Sequence, residues 1–194
     1  MLMLLDYLEP PGRYEGLDIL AAQISFAQQS IHSRYPHFNF NLADVYNKFY
    51  NPTGKQSADA YTFPFADGSF DIVYGASLFT HLVPSDTVNY LKESRRVLLP
   101  GGQCLFSFFV LDYYRGREQS SQQFFEFDYP VRNFDGVATS NPDVPENLIA
   151  YNLSLIERVA EQTRLRVKRI IPGFWSKTHK VGVTEQDLIV FEAV

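Results

Sequence analysis

The chain has 194 residues, 45% apolar and 20% charged, the composition of an ordinary globular protein able to bury about two-thirds of its unfolded surface. Its net charge of −5 comes without any basic run or stripe to hold a phosphate backbone, which excludes nucleic acid as an expected partner. Cys104 is the only cysteine, so no disulfide forms within the chain, and the apolar Met1–Leu5 is too short for a signal peptide or a membrane span; a cytoplasmic protein with no membrane partner is expected.

Met1–Leu8 reads as the last turns of a helix stopped by Pro10-Pro11-Gly12. Tyr14–Ile19 is a short strand carrying Asp18 near its end. Leu20, Ile24, Ala27 and Ile31 recur at helical spacing, which predicts an amphipathic helix over 20–33. Phe38, Phe40 and Leu42 alternate with Asn39 and Asn41, a half-exposed edge strand running into Ala43-Asp44. A polar loop, 47–60, follows. The turn Ala66-Asp67-Gly68-Ser69 launches an apolar strand over 70–74, which ends on Gly75-Ala76-Ser77, small residues that permit close approach to the backbone.

Ser85 and Asp86 open a helix, a cap hydroxyl and an acid at its positive end. Its expected buried face is Thr87, Tyr90, Leu91, Ser94, Val97 and Leu98, with Lys92, Glu93, Arg95 and Arg96 facing water. Pro100-Gly101-Gly102 stops it, and 103–110 is a second apolar strand. Two apolar strands joined by a helix make a right-handed parallel βαβ unit in a covered sheet. Leu111–Glu146 is irregular and rich in aromatics, Pro and Gly, the pattern of a lid or flap. A helix over 147–162 follows, with Leu148, Tyr151, Leu155, Val159 and Gln162 down one side. Strands over 165–171 and 187–193 close the chain, and a hairpin can join them. Alternating strands and helices predict a doubly wound α/β sheet.

FPFADGSFDIVYGASLFTHL, residues 63–82, followed by LKESRRVLLPGG, residues 91–102, resembles the class I S-adenosylmethionine-dependent methyltransferases in their small-molecule, type 11 branch. The family pattern has Pro-Phe and Asp-x-Ser-Phe-Asp before the fourth strand, a His-Leu pair, and a helix ending in Arg-Val-Leu-x-Pro-Gly-Gly. YEGLDI is similar to the family's second strand and LADV to its third. ENLIAYNLSLIERVAEQTRL is similar to the last helix, and Gly173-Phe174-Trp175-Ser176 to the loop after the sixth strand. The resemblance implies a Rossmann-like sheet, mostly parallel with an antiparallel C-terminal strand. It implies one methyltransferase domain over 1–194, with a lid at about 111–146, S-adenosylmethionine as cofactor and a small-molecule acceptor.

No Gly-x-Gly occurs in the sequence, and the family's first strand and acidic-x-Gly-x-Gly-x-Gly loop have no counterpart before the strand at residue 14. A start placed downstream of the natural one, a truncated piece or a decayed family member would each account for this. The alternative function is therefore a truncated or pseudo-methyltransferase fragment, acting as a binding or interaction module. The strands at 14–19 and 70–74 would flank the missing strand. They either close on each other, giving a continuous sheet of about six strands, or leave edges for a second chain to cover, and a homodimer is the expectation.

Asp18, with Ile19 beside it, sits at the carboxyl end of a strand, where an acid accepts hydrogen bonds from ribose hydroxyls. The plain alternative is a helix cap. By the resemblance, Asp44 with Val45 holds the adenine; a turn aspartate is equally compatible with the residues. Gly75, Ala76 and Ser77 occupy the strand end where ligands bind in open α/β sheets, and in the resembling family their backbone lies beside the sulfonium. Gly75-Ala76-Ser77-Leu78-Phe79 is most of a nucleophile elbow, but the large Phe79 stands where that turn needs glycine, which argues against a hydrolase. No Tyr-x-x-x-Lys occurs, which disfavours a short-chain dehydrogenase. His81 is the candidate general base, against a simpler role closing the pocket and ordering its loop. His32, His37, His81, His179 and Cys104 show no ligand spacing, so no metal is expected.

Overall fold

A computed structural model describes residues 4–5, 7–114, 125–176 and 184–194. The chain divides into two compact units, Met1–Ser57 and Ala58–Val194.

In the first unit, strand β1 (Tyr14–Asp18) pairs in parallel with β2 (Phe38–Leu42), Tyr14 facing Phe38 and Asp18 facing Leu42. Helix α1 (Ala21–Ala27) connects them and runs on as a wider π turn over Gln28–His32. The predicted helix over 20–33 is thus present with a changed last turn, where the His32 imidazole Nδ1 bonds the Phe38 carbonyl at 2.8 Å. The helical stripe is buried as its spacing requires: Ile24, Ala27 and Ile31 pack on Phe38 and Phe40. Gly16 lies under that packing, because a Cβ there would meet the Phe40 ring at 2.8 Å. The expected helix at Met1–Leu8 lies partly outside the described residues; Leu4 and Leu5 form a 3₁₀ turn.

The second unit is built on strand β3 (Phe70–Gly75), helix α2 (Pro84–Val97) and strand β4 (Leu98–Phe108), a parallel βαβ unit as predicted. After β4 come three short antiparallel strands, β5 (Tyr129–Pro130), β6 (Val137–Thr139) and β7 (Ile149–Tyr151). Helix α3 (Leu153–Gln162), β8 (Leu165–Ile171) and β9 (Asp187–Ala193) complete the unit. Its main sheet has the order β3-β4-β9-β8, with β9 antiparallel to both neighbours, so β8 and β9 are adjacent antiparallel strands. This is the expected mixed sheet with an antiparallel C-terminal strand. Each unit has its own hydrogen-bonded sheets, β1-β2 in the first and β3-β4-β9-β8 and β5-β6-β7 in the second.

Several local readings are corrected. Pro100-Gly101-Gly102 does not lie between helix and strand; β4 starts at Leu98 and the three residues form an irregularity inside it, with Gly101 at φ +77°. Glu93 does not face water. It is buried, and its carboxylate accepts the Phe63 amide at 2.8 Å and pairs with Arg96 at 2.7 Å. The helix predicted over 147–162 begins only at Leu153, because Ile149–Tyr151 pairs with β6 and the chain must turn at Asn152 before it can coil. The sheet is not covered on both faces at β3: Ile72 is 68% and Tyr74 53% exposed, on the same side of the strand. The predicted stripe on α2 is buried at Thr87, Tyr90, Leu91, Ser94 and Val97, while Leu98, also buried, belongs to β4 and not to the helix.

Candidate functional site

The candidate residues belong to two different units. In the first, Asp18 and Asp44 stand at the carboxyl ends of adjacent parallel strands, and the Asp18 carbonyl accepts the Ala43 amide at 2.9 Å. Asp18 is exposed, and its Oδ1 accepts the Leu20 amide at 2.9 Å. That bond fixes the carboxylate at the mouth of α1 while Oδ2 points to no protein donor among the described residues. Ile19 beside it is half-buried. The Asp44 carbonyl accepts the amides of Lys55 and Gln56, closing a compact loop over 45–56, and Lys55 Nζ lies 4.0 Å from Asp44 Oδ2. Val45 is buried and bridges to Gln56. Gly54 permits this closure, since a Cβ there would stand 2.4 Å from the Val45 carbonyl.

In the second unit, Gly75-Ala76-Ser77 ends β3 at the carboxyl edge of the sheet, with Ala76 and Ser77 exposed. A Cβ on Gly75 would press the Phe106 ring at 3.0 Å. Ser77 holds φ +50°, its amide donating to Ser107 Oγ at 2.7 Å and its hydroxyl accepting from Gln186 Nε2 at 2.6 Å. Phe79 is fully buried between Phe106 and Phe108, with ring centroids 4.5 and 4.8 Å away, and anchors the next turn.

That turn carries His81. Its Nδ1 donates to the Glu146 carbonyl at 3.0 Å, and burial pushes its pKa below the usual imidazole value. A neutral ring tied to the 145–147 turn joins two loops. Next to it, the Tyr151 hydroxyl, fully buried, bonds Thr87 Oγ1 at 3.0 Å and the Leu82 carbonyl. Asp86, in the first turn of α2, has its pKa raised to about 6, mainly by burial and then by the facing carboxylates of Asp59 and Glu146. Cys104 is buried and its thiol is pushed up to about 12, which leaves it unreactive.

The sequence drew no attention to Asp187. This first residue of β9 is fully buried, and its carboxylate accepts three N–H groups: Val110 at 2.8 Å, Gly173 at 2.8 Å and the Trp175 indole at 2.7 Å. Around it Phe109, Phe127, Ala150 and Trp175 form a buried cluster, with Tyr113, Tyr114, Phe125 and Leu148 half-buried against it. Of the aromatics in the expected lid, Phe127 is buried in this cluster and Tyr113, Tyr114 and Phe125 are half-buried against it, whereas Tyr129 and Phe134 are exposed. Ser107, Gln186 and Asp187 were not legible as site residues because each matters through a partner 30 or more positions away or through a loop contact, not through a motif. Residues 115–124 of the lid and His179 lie outside the described residues. Among the described residues no cluster of three or more His, Cys, Asp or Glu has the geometry to hold a metal, and no helix is long and apolar enough to cross a membrane.

Known proteins share this architecture. A protein from Pyrococcus horikoshii is 19% identical, with a TM-score of 0.62, and the match covers 100% of this chain and 76% of that one. An S-adenosylmethionine-dependent methyltransferase from Mesorhizobium loti is 11% identical over 93% of this chain and 81% of its own, with a TM-score of 0.61. Geranyl diphosphate C-methyltransferase from Streptomyces coelicolor, solved with Mg2+, geranyl diphosphate and S-adenosyl-L-homocysteine, is 14% identical, with a TM-score of 0.59 over 100% of this chain and 67% of its own. These likenesses establish the fold, a Rossmann-like α/β methyltransferase fold. The family model described as a methyltransferase domain matches residues 2–106, more than half of the sequence. The chain belongs to the methyltransferase-domain family.

Proposed function

We propose that this protein binds S-adenosylmethionine and transfers its methyl group to a small-molecule acceptor. The observation that carries the reading is the placement of two acids, Asp18 and Asp44, at the carboxyl ends of the adjacent parallel strands β1 and β2 in a chain of the methyltransferase-domain family. Ligands bind at strand carboxyl ends in open α/β sheets. The donor set fits an adenosine group. Asp18 keeps one carboxylate oxygen for a ribose diol while the other holds the Leu20 amide, and Asp44, half-exposed, suits an exocyclic amino group. The cofactor would supply an electrophilic methyl on a sulfonium. Ile19 and Val45 would flank the adenosine.

Methyl transfer from a sulfonium needs in-line approach more than acid–base help. His81 is accordingly read as the residue that orders the 145–147 turn, with a base role reserved for acceptors that must lose a proton. In the same reading residues 1–194 work as one methyltransferase domain. The geranyl diphosphate enzyme acts on a small molecule, which supports a small acceptor here. Calorimetric titration with S-adenosylhomocysteine tests the reading. Saturable binding that falls in Asp18→Ala is expected, and no binding by the parent chain would favour a fragment that keeps the fold without the activity.

A further inference from the structure

The turn that ends β3 holds a conformation its residue type resists. Ser77 has φ +50°, in the left-handed region that a side chain enters at a cost and that strained functional turns often use. Side chains from two other places hold it there. Ser107 comes from inside β4 and takes the Ser77 amide at 2.7 Å; Gln186, next to the start of β9, gives its amide to the Ser77 hydroxyl at 2.6 Å. Ser107 is buried among apolar neighbours of a central strand, where a hydroxyl is costly unless bonded. Its bond to Ser77 is what that position does with a polar atom.

We propose that Ser107 and Gln186 are positioning residues that lock the Gly75–Ser77 turn in the form that receives the methyl-donor ligand. The inference rests on the proposed function and adds how this part of the site is set. Released from its two partners, Ser77 relaxes towards negative φ. The peptide planes on either side then rotate, and the backbone at the carboxyl end of β3 leaves its ligand-ready position. A ligand must then restore the turn, and its apparent affinity drops by the fraction of molecules in the competent form. Glycine is exempt, because it occupies positive φ without being held.

This exemption gives the test: a double-mutant cycle on the full chain, read by calorimetric titration with S-adenosylhomocysteine. Ser107→Ala is expected to weaken binding about tenfold when residue 77 is serine and less than about twofold when residue 77 is glycine. Gln186→Ala is expected to weaken binding about threefold when residue 77 is serine; because Ser77→Gly itself removes the hydroxyl that Gln186 bonds, the Ser107 arm carries the comparison with glycine, and Ser107→Cys replaces Ser107→Ala if that variant does not fold. A role confined to stability lowers the unfolding midpoint equally in both backgrounds and gains nothing from glycine. Unchanged affinity in the single variants, or a loss that Ser77→Gly does not repair, overturns the proposal while the parent's binding leaves the function standing. A parent chain that binds no S-adenosylhomocysteine overturns the function and this inference with it.

Discussion

The carboxylate of Asp187 accepts the indole N–H of Trp175 at 2.7 Å, and both side chains are fully buried. The same carboxylate takes the amides of Gly173 and Val110, so one acid at the start of β9 pins the end of β4 and the loop after β8. Trp175 in turn packs on Phe109 and Phe127, with ring centroids 5.0 and 5.4 Å away. An aromatic cluster at the carboxyl edge of the sheet thus takes its position from a buried charge.

Removing that charge strands three buried donors. Asp187→Ala is expected to cost about 3 kcal/mol or more of stability, since each unpaired group bears its own desolvation penalty. Trp175 is the sole tryptophan, so its fluorescence during urea unfolding reads this neighbourhood directly. An unchanged unfolding midpoint and slope would show that the three bonds carry no net stability.

At the other candidate locus, Asp18→Ala is expected to weaken S-adenosylhomocysteine binding by about 1.5–3 kcal/mol, the range for hydrogen bonds to a charged group. Because Asp18 is exposed, the melting temperature should move little. Equal affinity in parent and variant would remove Asp18 from the site.

Asp86 should make stability depend on pH. Its folded pKa of about 6 lies above the ordinary 3.8, raised by burial and by Asp59 and Glu146, and only partly offset by the Ser85 hydroxyl and the Val83 backbone. The folded state therefore binds the proton more tightly. Ionised Asp86 destabilises the fold above about pH 6, and the penalty fades as pH falls towards 4. Asp86→Asn is expected to stabilise the protein at pH 7.5 by about 1 kcal/mol, less than the full shift implies because solvent screens a half-buried group. Thermal unfolding at pH 7.5 and pH 4 checks this; a gain equal at both values would exclude ionisation as the cause.

His81 titrates in the opposite sense. Burial lowers its folded pKa below 6.5, so the stability it contributes is present above about pH 6.5 and is lost as pH falls through that range. Glutamine keeps an N–H for the Glu146 carbonyl but cannot take up a proton. The melting temperature of His81→Gln should therefore gain on the parent between pH 7.5 and pH 5. A constant difference would mean that the folded ring takes up its proton over the same pH range as the unfolded one, so that burial exerts no shift.

The edge at β3 bears on association. Among the described residues β3 pairs with β4 alone, and Ile72 and Tyr74 are exposed on one side of it. Paired apolar side chains on an open strand favour contact with another chain. Light scattering is expected to show dimers or larger species that Ile72→Lys disperses. A monomeric parent at high concentration would end this expectation.

The elements whose identity depends on near neighbours were legible in the sequence. Helical spacing along Thr87, Tyr90, Leu91, Ser94 and Val97 marked the buried face of α2, and alternation of Phe38, Asn39, Phe40 and Asn41 marked β2, because side-chain periodicity is set by the backbone itself. The ordered run from Phe63 to Gly102 likewise sufficed to place the chain in its family. Tertiary structure decided what distant residues do to each other. Ile149–Tyr151 has helical surroundings in sequence yet becomes a strand because β6 lies beside it to pair with. Glu93 sits at a position that reads as solvent-facing, yet is buried because Arg96 and the Phe63 amide neutralise it there. Asp187, Ser107 and Gln186 gain their roles from partners brought close only by folding, and a hydrogen bond between residues 107 and 77 leaves no periodic trace in either segment. Periodicity reports the direction in which a side chain points; the fold alone determines what stands there to meet it.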